Sequence, residues 1–277
     1  MGPQAVFLLT ISITYGISSL YSHNNDDGGD LELTILHTND VHSRFLSFNQ
    51  NVQPCTEKNR LHNKCWGGAA RLATAVKKFR QLYKNAILLD AGDQFQGSIW
   101  FTTLKWAPIA AYMNKLNYTA MAIGNHEFDD GDQLLADFAS NVNFPMINSN
   151  IDASESKSLN GTFVPYILKT IGEKTIGFLG TTASETTEIS RPSRQVKFMD
   201  EIDSLNSLIQ KLKKEHEVDK FIILSHSGIQ RDVEMCNQTY ILITPSKLKV
   251  RHFKSYSWMN FTQIYQMIPI LLINKFP

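Results

Sequence analysis

The stretch Gly124-Asn125-His126-Glu127-Phe128-Asp129 follows the apolar run Ala120-Met121-Ala122-Ile123 and precedes Gly131-Asp132-Gln133-Leu134-Leu135, which reads as a helix start. Asn125 offers an amide oxygen to a cation. His126 offers an imidazole, the side chain suited to proton transfer, and Asp129 is placed to fix that ring's tautomer and orientation. Polar groups of the same kind end three other apolar runs. These are Asp40 and His42 in His37-Thr38-Asn39-Asp40-Val41-His42, Asp93 in Asp90-Ala91-Gly92-Asp93-Gln94, and His226 in Ser225-His226-Ser227-Gly228. Carboxylate, imidazole and amide donors suit divalent ions of the zinc, manganese or iron kind. A central aspartate can bridge two ions, and a pair ~3.5–4 Å apart is the usual arrangement for hydrolysing phosphate esters. A lone Asp-x-His is ordinary surface decoration; four such motifs, each directly after an apolar run, point to a metal centre.

Strands must deliver these groups to one place. Leu31–Leu36, Ala86–Leu89, Ala120–Ile123, Phe144–Ile147, Lys174–Leu179 and Lys220–Leu224 have strand character. Between them, Leu72, Val76, Phe79 and Leu82 recur at helical spacing, residues 107–116 predict a second helix, and Ile202, Leu205, Leu208, Ile209 and Leu212 mark an amphipathic one. Alternating strands and helices define an α/β class with much parallel sheet. In such sheets the carboxyl ends of the strands share one edge, where chemistry is placed.

Composition sets the surroundings. The 277 residues carry 27 basic and 26 acidic side chains, for a formal charge of +1, which gives no electrostatic basis for nucleic-acid binding. Val6–Ile13 is an apolar run too short to span a membrane and reads as part of a signal peptide over residues 1–22, implying a secreted, extracellular protein. The sequons at Asn117, Asn160, Asn237 and Asn260 agree with export and a glycoprotein. Cys55 and Cys65 bracket a polar loop that an oxidising compartment would close as a disulfide, leaving Cys236 unpaired; a cytosolic setting would leave three thiols. Nothing in the sequence speaks to oligomeric state.

The segments Leu36–Arg44, Leu89–Gly97 and Gly124–Asp129 resemble the 5'-nucleotidase/apyrase family of calcineurin-like metallophosphoesterases, over roughly residues 31–235. The Cys55/Cys65 loop matches that family's disulfide-closed loop. The resemblance implies a metallophosphoesterase sandwich of mixed sheets flanked by helices, holding two divalent metal ions (Zn, or Mn, Mg or Ca). It implies Asp40, His42 and Asp93 as ligands of one ion and Asp93, Asn125 and His226 as ligands of the other. His126, oriented by Asp129, would act on the substrate. The implied substrate is a nucleotide, AMP or ADP and ATP.

The family's Gly-Gly-His-x-His motif is missing. His252 is the only later histidine, and no Asp or Glu follows Glu234 and no Gly follows Gly228. Residues 236–277 therefore read as a divergent tail without an assigned domain, and the fold as C-terminally incomplete, with each ion short of one ligand and sheet edges left open. Two other readings share the motifs: a non-catalytic secreted protein that binds nucleotide or metal, and a cyclic-nucleotide phosphodiesterase.

Overall fold

A computed structural model describes residues 31–239, 248–254 and 270–271. The strands are β1 (Leu31–Thr38), β2 (Ala86–Asp90), β3 (Ala120–Ala122), β4 (Met146–Ile147), β5 (Ile151–Asp152), β6 (Tyr166–Ile171), β7 (Lys174–Thr182), β8 (Lys197–Phe198), β9 (Lys220–His226), β10 (Leu248–Lys254) and β11 (Ile270–Leu271). The helices are α1 (Glu57–Leu61), α2 (Ala69–Leu82), α3 (Ile99–Leu104), α4 (Ala107–Leu116), α5 (Asp132–Asn141), α6 (Thr186–Ile189), α7 (Glu201–Glu215) and α8 (Ile229–Gln238). One sheet, ordered β10-β1-β2-β3-β4, is parallel throughout. The second, β11-β9-β7-β6, joins β7 and β9 in parallel and adds antiparallel neighbours at both edges.

Strand alternation explains the layering. Leu33, Ile35, Ile87, Leu89, Ala120 and Ala122 face inward and pack with Ile176, Phe178, Ile222 and Leu224 of the second sheet. Their neighbours in sequence point the other way: Leu36, Leu88 and Met121 meet Val76, Ile109, Met113 and Phe138 from α2, α4 and α5. On the far side, Leu179, Phe221 and Ile223 pack against Leu205, Ile209 and Leu212 of α7 and Met235 of α8. The result is a helix–sheet–sheet–helix sandwich. Each fully buried aliphatic side chain contributes ~1.5–3 kcal/mol, so the inner layer holds the two sheets in register.

Some expectations shift in detail. Leu82 is exposed because α2 ends there, and Val76 carries the buried contact. The expected strand Phe144–Ile147 shortens to Met146–Ile147, since Pro145 has no N–H to give a ladder and serves through its carbonyl, which accepts from Met121 N. Within the segment after residue 235, β10 pairs with β1 and β11 with β9, so strands flank both. His252 stands opposite Ile35 in that register. Cys55 and Cys65 form a disulfide, and Cys236 is a free thiol. Asn117, Asn160 and Asn237 are exposed. The apolar run of residues 6–13 and the sequon at Asn260 lie outside the described residues. Among those described, no helix is long and apolar enough to cross a membrane.

Candidate metal centre

The turns that leave β1, β2, β3 and β9 converge at the carboxyl edge of the sandwich. Two of them are zipped together by backbone bonds: Asp40 N, His42 N and Ser43 N donate to the carbonyls of Gly92, Asp93 and Gln94 at 3.0, 3.1 and 3.0 Å. Asp40, His42, Ser43 and Asp93 all sit at φ between 50° and 59°. Asp and His are among the side chains that tolerate this left-handed region best, so the backbone and the chemistry ask for the same residues. Gly92 (φ 95°) has no such choice, because a Cβ there would lie 2.5 Å from Gly124 N. At Gly124 a Cβ would lie 2.2 Å from Asp93 Oδ1.

Asp93 is the hub. Its Oδ2 lies 3.1 Å from His226 Nε2, 3.8 Å from His42 Nε2 and 4.0 Å from His126 Nε2, while Oδ1 accepts from His126 N at 2.9 Å. Each ring has its other nitrogen engaged: His42 Nδ1 with Phe95 O at 2.9 Å, His226 Nδ1 with Ala91 O at 2.7 Å, and His126 Nδ1 with Asp129 Oδ2 at 2.6 Å. All three Nε2 atoms are thereby aimed at one carboxylate, as orienting partners do around a bound ion.

Two donor triads result, Asp40–Asp93–His226 and His42–Asp93–His126, each with its ligand atoms within 4.8 Å of one another. These groupings cross those implied by the family resemblance, which joins Asp40 with His42. Since His42 Nε2 is 3.8 Å from both Asp40 Oδ1 and Asp93 Oδ2, the triads are halves of one contiguous cluster. Asn125 is partly exposed on the same loop, directly before His126. Asp40, His42, Asp93, His126, Asp129 and His226 thus come together at this one edge, with Asn125 on the same loop as His126.

Opposite charges in the cluster support one another. Burial works against charge on Asp93, yet His226, His126 and His42 outweigh it and hold its pKa down at about 2. Burial likewise opposes protonation of His226 and His42; Asp93 and Asp40 outweigh it, keeping His226 well above its ordinary value and raising His42. A buried carboxylate hub surrounded by nitrogen donors calls for positive charge, which protons or divalent ions can supply. The donor set therefore fits two ions that share Asp93.

One central residue escapes a reading of ligand types. Glu127 is fully buried, and its carboxylate accepts four backbone N–H bonds. Gly124 N (2.7 Å) and Asp93 N (2.8 Å) donate to Oε2; Gln94 N (2.8 Å) and Phe95 N (3.1 Å) donate to Oε1. Burial, then the Asp93 charge, push its pKa up, and the amide donors oppose them. Glu127 ties the Asp93 loop to the loop of Asn125 and His126. The only sequence hint is an acid inside a motif whose other polar residues are accounted for.

Beneath the centre lies a second buried network. Asp90 accepts from Thr38 Oγ1 (2.5 Å), Gln94 Nε2 (2.6 Å) and Gly92 N (3.0 Å), and Thr38 also bonds to Tyr118 Oη at 2.8 Å. Burial raises the Asp90 pKa to about 8.

This edge is a candidate metal centre of the kind a metallophosphoesterase requires. Residues 33–260 match the family model described as calcineurin-like phosphoesterase, and the chain belongs to that family. It is 45% identical over 204 residues to bovine (Bos taurus) 5'-nucleotidase, covering 73% of this chain and 35% of the relative. Against human (Homo sapiens) 5'-nucleotidase it is 43% identical over 207 residues, 74% of this chain and 35% of that one. Against the snake venom 5'-nucleotidase of Naja atra it is 39% identical over 213 residues, 76% and 39%. The crystal structure of a 5'-nucleotidase precursor from Thermus thermophilus superposes with a TM-score of 0.65 at 34% identity, covering 73% of this chain and 38% of that one. The chain thus spans little more than a third of the length of these relatives.

Proposed function

We propose that this chain is a secreted, metal-dependent nucleotide phosphohydrolase that releases phosphate from extracellular AMP, ADP or ATP. The observation that carries the reading is a single buried carboxylate, Asp93, with the candidate donors Asp40, His42 and His226 gathered round it at the carboxyl edge of the sheets and the His126 imidazole beside them. Identity to animal 5'-nucleotidases supports the substrate class. The relatives named for snake venom, the short apolar run in residues 1–22, the Cys55–Cys65 disulfide and the exposed sequons support export and glycosylation. All the candidate site residues lie within residues 31–235, the proposed phosphoesterase domain.

Asp40, His42, Asn125 and His226 would hold the two ions, with Asp93 bridging. Bound ions would supply charge to the phosphoryl oxygens and acidify the attacking water. The protein's own part in the chemistry falls to His126. Its side chain is 37% exposed, against 17% for His42 and 13% for His226, so it is the imidazole open to a substrate. Asp129 accepts a hydrogen bond from Nδ1–H, leaving Nε2 to give its proton to the ester oxygen as the P–O bond breaks. A second role, steadying charge on the phosphoryl group, uses the same nitrogen.

The test is phosphate release from AMP, ADP and ATP with Zn²⁺, Mn²⁺, Mg²⁺ and Ca²⁺ supplied separately, beside a chelator blank. Release that chelator abolishes and His126→Ala lowers by ~100-fold or more is expected. Folded protein that releases no phosphate with any ion would overturn the reading in favour of a non-catalytic binding protein.

A further inference from the structure

The His126–Asp129 pair does not end at the carboxylate. Ser190 Oγ donates to Asp129 Oδ1 at 2.5 Å, while Oδ2 takes the His126 Nδ1 contact at 2.6 Å. Ser190 caps the end of α6, where its own N–H closes on Thr186 O at 2.9 Å, and its backbone is extended. Three residues on, Ser193 makes a parallel clasp, donating from N (2.9 Å) and Oγ (2.5 Å) to the Asp132 carboxylate, which also receives Ser156 Oγ at 2.8 Å. The strap from Ser190 to Ser193 is thus fastened at both ends to the segment from Asp129 to Asp132. Each carboxylate gains a hydroxyl donor from a part of the chain remote in sequence.

The physical consequence falls on Asp129. A partly exposed carboxylate with one oxygen on an imidazole is free to rotate and trade that bond for water. A donor on the other oxygen fixes the carboxylate plane and with it the direction of the His126 ring. We propose that Ser190 is a positioning residue for proton delivery by His126, forming a Ser190–Asp129–His126 chain in which it never touches substrate. This inference rests on the role given to His126 above. The Ser190 hydroxyl donates to Asp129 throughout; the only proton that changes place is the one on His126 Nε2, which goes to the departing oxygen.

Two readouts test it separately. In kinetics, Ser190→Ala is compared on AMP, whose alkoxide leaving group needs a proton, and on p-nitrophenyl phosphate, whose leaving group does not. The expected result is kcat for AMP lowered ~10-fold, part of the ~10²–10⁴ available to a general acid, with KM nearly unchanged. On the activated ester the loss should be under ~3-fold, and Ser190→Thr should restore both rates. Equal losses on the two substrates, or no rescue by threonine, would reduce Ser190 to a structural contact and overturn the proposal. The second readout is the His126 Nδ1–H resonance in metal-free protein, identified by its loss in His126→Ala. It should move upfield in Ser190→Ala and return in Ser190→Thr; an unmoved resonance overturns the proposal. Inactive wild-type protein with the resonance pattern intact would refute the proposed function and with it the delivery of a proton, while the orientation of the His126 ring by Ser190 would stand.

Discussion

Replacing Glu127 by Gln isolates what the buried carboxylate does for the centre. Two of its four backbone donors reach Oε1 and two reach Oε2. A glutamine keeps one acceptor oxygen and so satisfies one pair. Its NH₂ group sets hydrogens against the other pair. Two buried N–H groups lose their acceptor, and at ~1–3 kcal/mol for each unsatisfied group the variant should lose roughly 2–6 kcal/mol. That is a large share of the ~5–15 kcal/mol typical of a whole domain. The assay is urea unfolding of metal-free protein followed by circular dichroism, with midpoint and slope fitted together. Glu127→Asp is the companion variant: it keeps the charge and shortens the reach, and it should also destabilise because one methylene less cannot span both loops. A loss below about 1 kcal/mol in Glu127→Gln would refute the reasoning. A neutral Glu127→Asp would show that charge, not the bridging of two loops, is what the position supplies.

Three further outcomes follow from the same geometry. Gly124→Ala places a Cβ 2.2 Å from Asp93 Oδ1 and 2.9 Å from Glu127 Oε2. Calorimetric titration with Mn²⁺ should give an affinity at least ~10-fold weaker than wild type, the scale of disturbed ligand-orienting contacts. For Asp90, the folded state keeps its proton to about pH 8, whereas the unfolded chain releases it near 3.8. Its contribution is therefore whole below the unfolded value and is lost as pH rises towards and through 8, so wild type should lose roughly 1–3 kcal/mol between about pH 6 and 8. Asp90→Asn should be shallower by that amount, with the remaining slope belonging to His42, His226 and Glu127, which urea midpoints at each pH will check. Opening the Cys55–Cys65 bridge, which closes a loop of sequence separation 10, should remove up to ~3 kcal/mol from that loop. Proteolysis of the reduced protein should begin between residues 56 and 64.

Much of the site is legible in the sequence because its elements are local. The candidate ligands Asp40, His42, Asp93, Asn125 and His226, and His126 beside them, lie at or just beyond the ends of short apolar strands, so they can be picked out from strand ends. The inner strands read clearly because both faces are buried, as at Leu33 to Leu36 and Phe221 to Leu224. By contrast β6, with a half-exposed pattern broken by Lys169 and Thr170, gives no comparable signal. Glu127 is hidden for another reason: its partners are backbone amides, which carry no side-chain signature. Ser190 is hidden by distance, since its partner Asp129 lies 61 residues away and α6 is a single turn. The pairing of β10 with β1 is equally nonlocal. It depends on a register between segments more than 200 residues apart, Leu31 pairing with Leu248, which composition does not encode.

The two-sheet construction also orders events during synthesis. Asp40, Asp93, Asn125 and Glu127 all precede α5 in the chain, so the hydrogen-bonded cradle can set while later residues are still emerging. His226 belongs to the other sheet, and its Nδ1 reaches Ala91 O only once β9 has docked through Ile222 and Leu224. The candidate donor His226 thus joins the others with closure of the sandwich. Under the proposed function, tight ion binding would therefore require the two sheets to be docked, and a form holding only the three loops of the first sheet would bind an ion weakly.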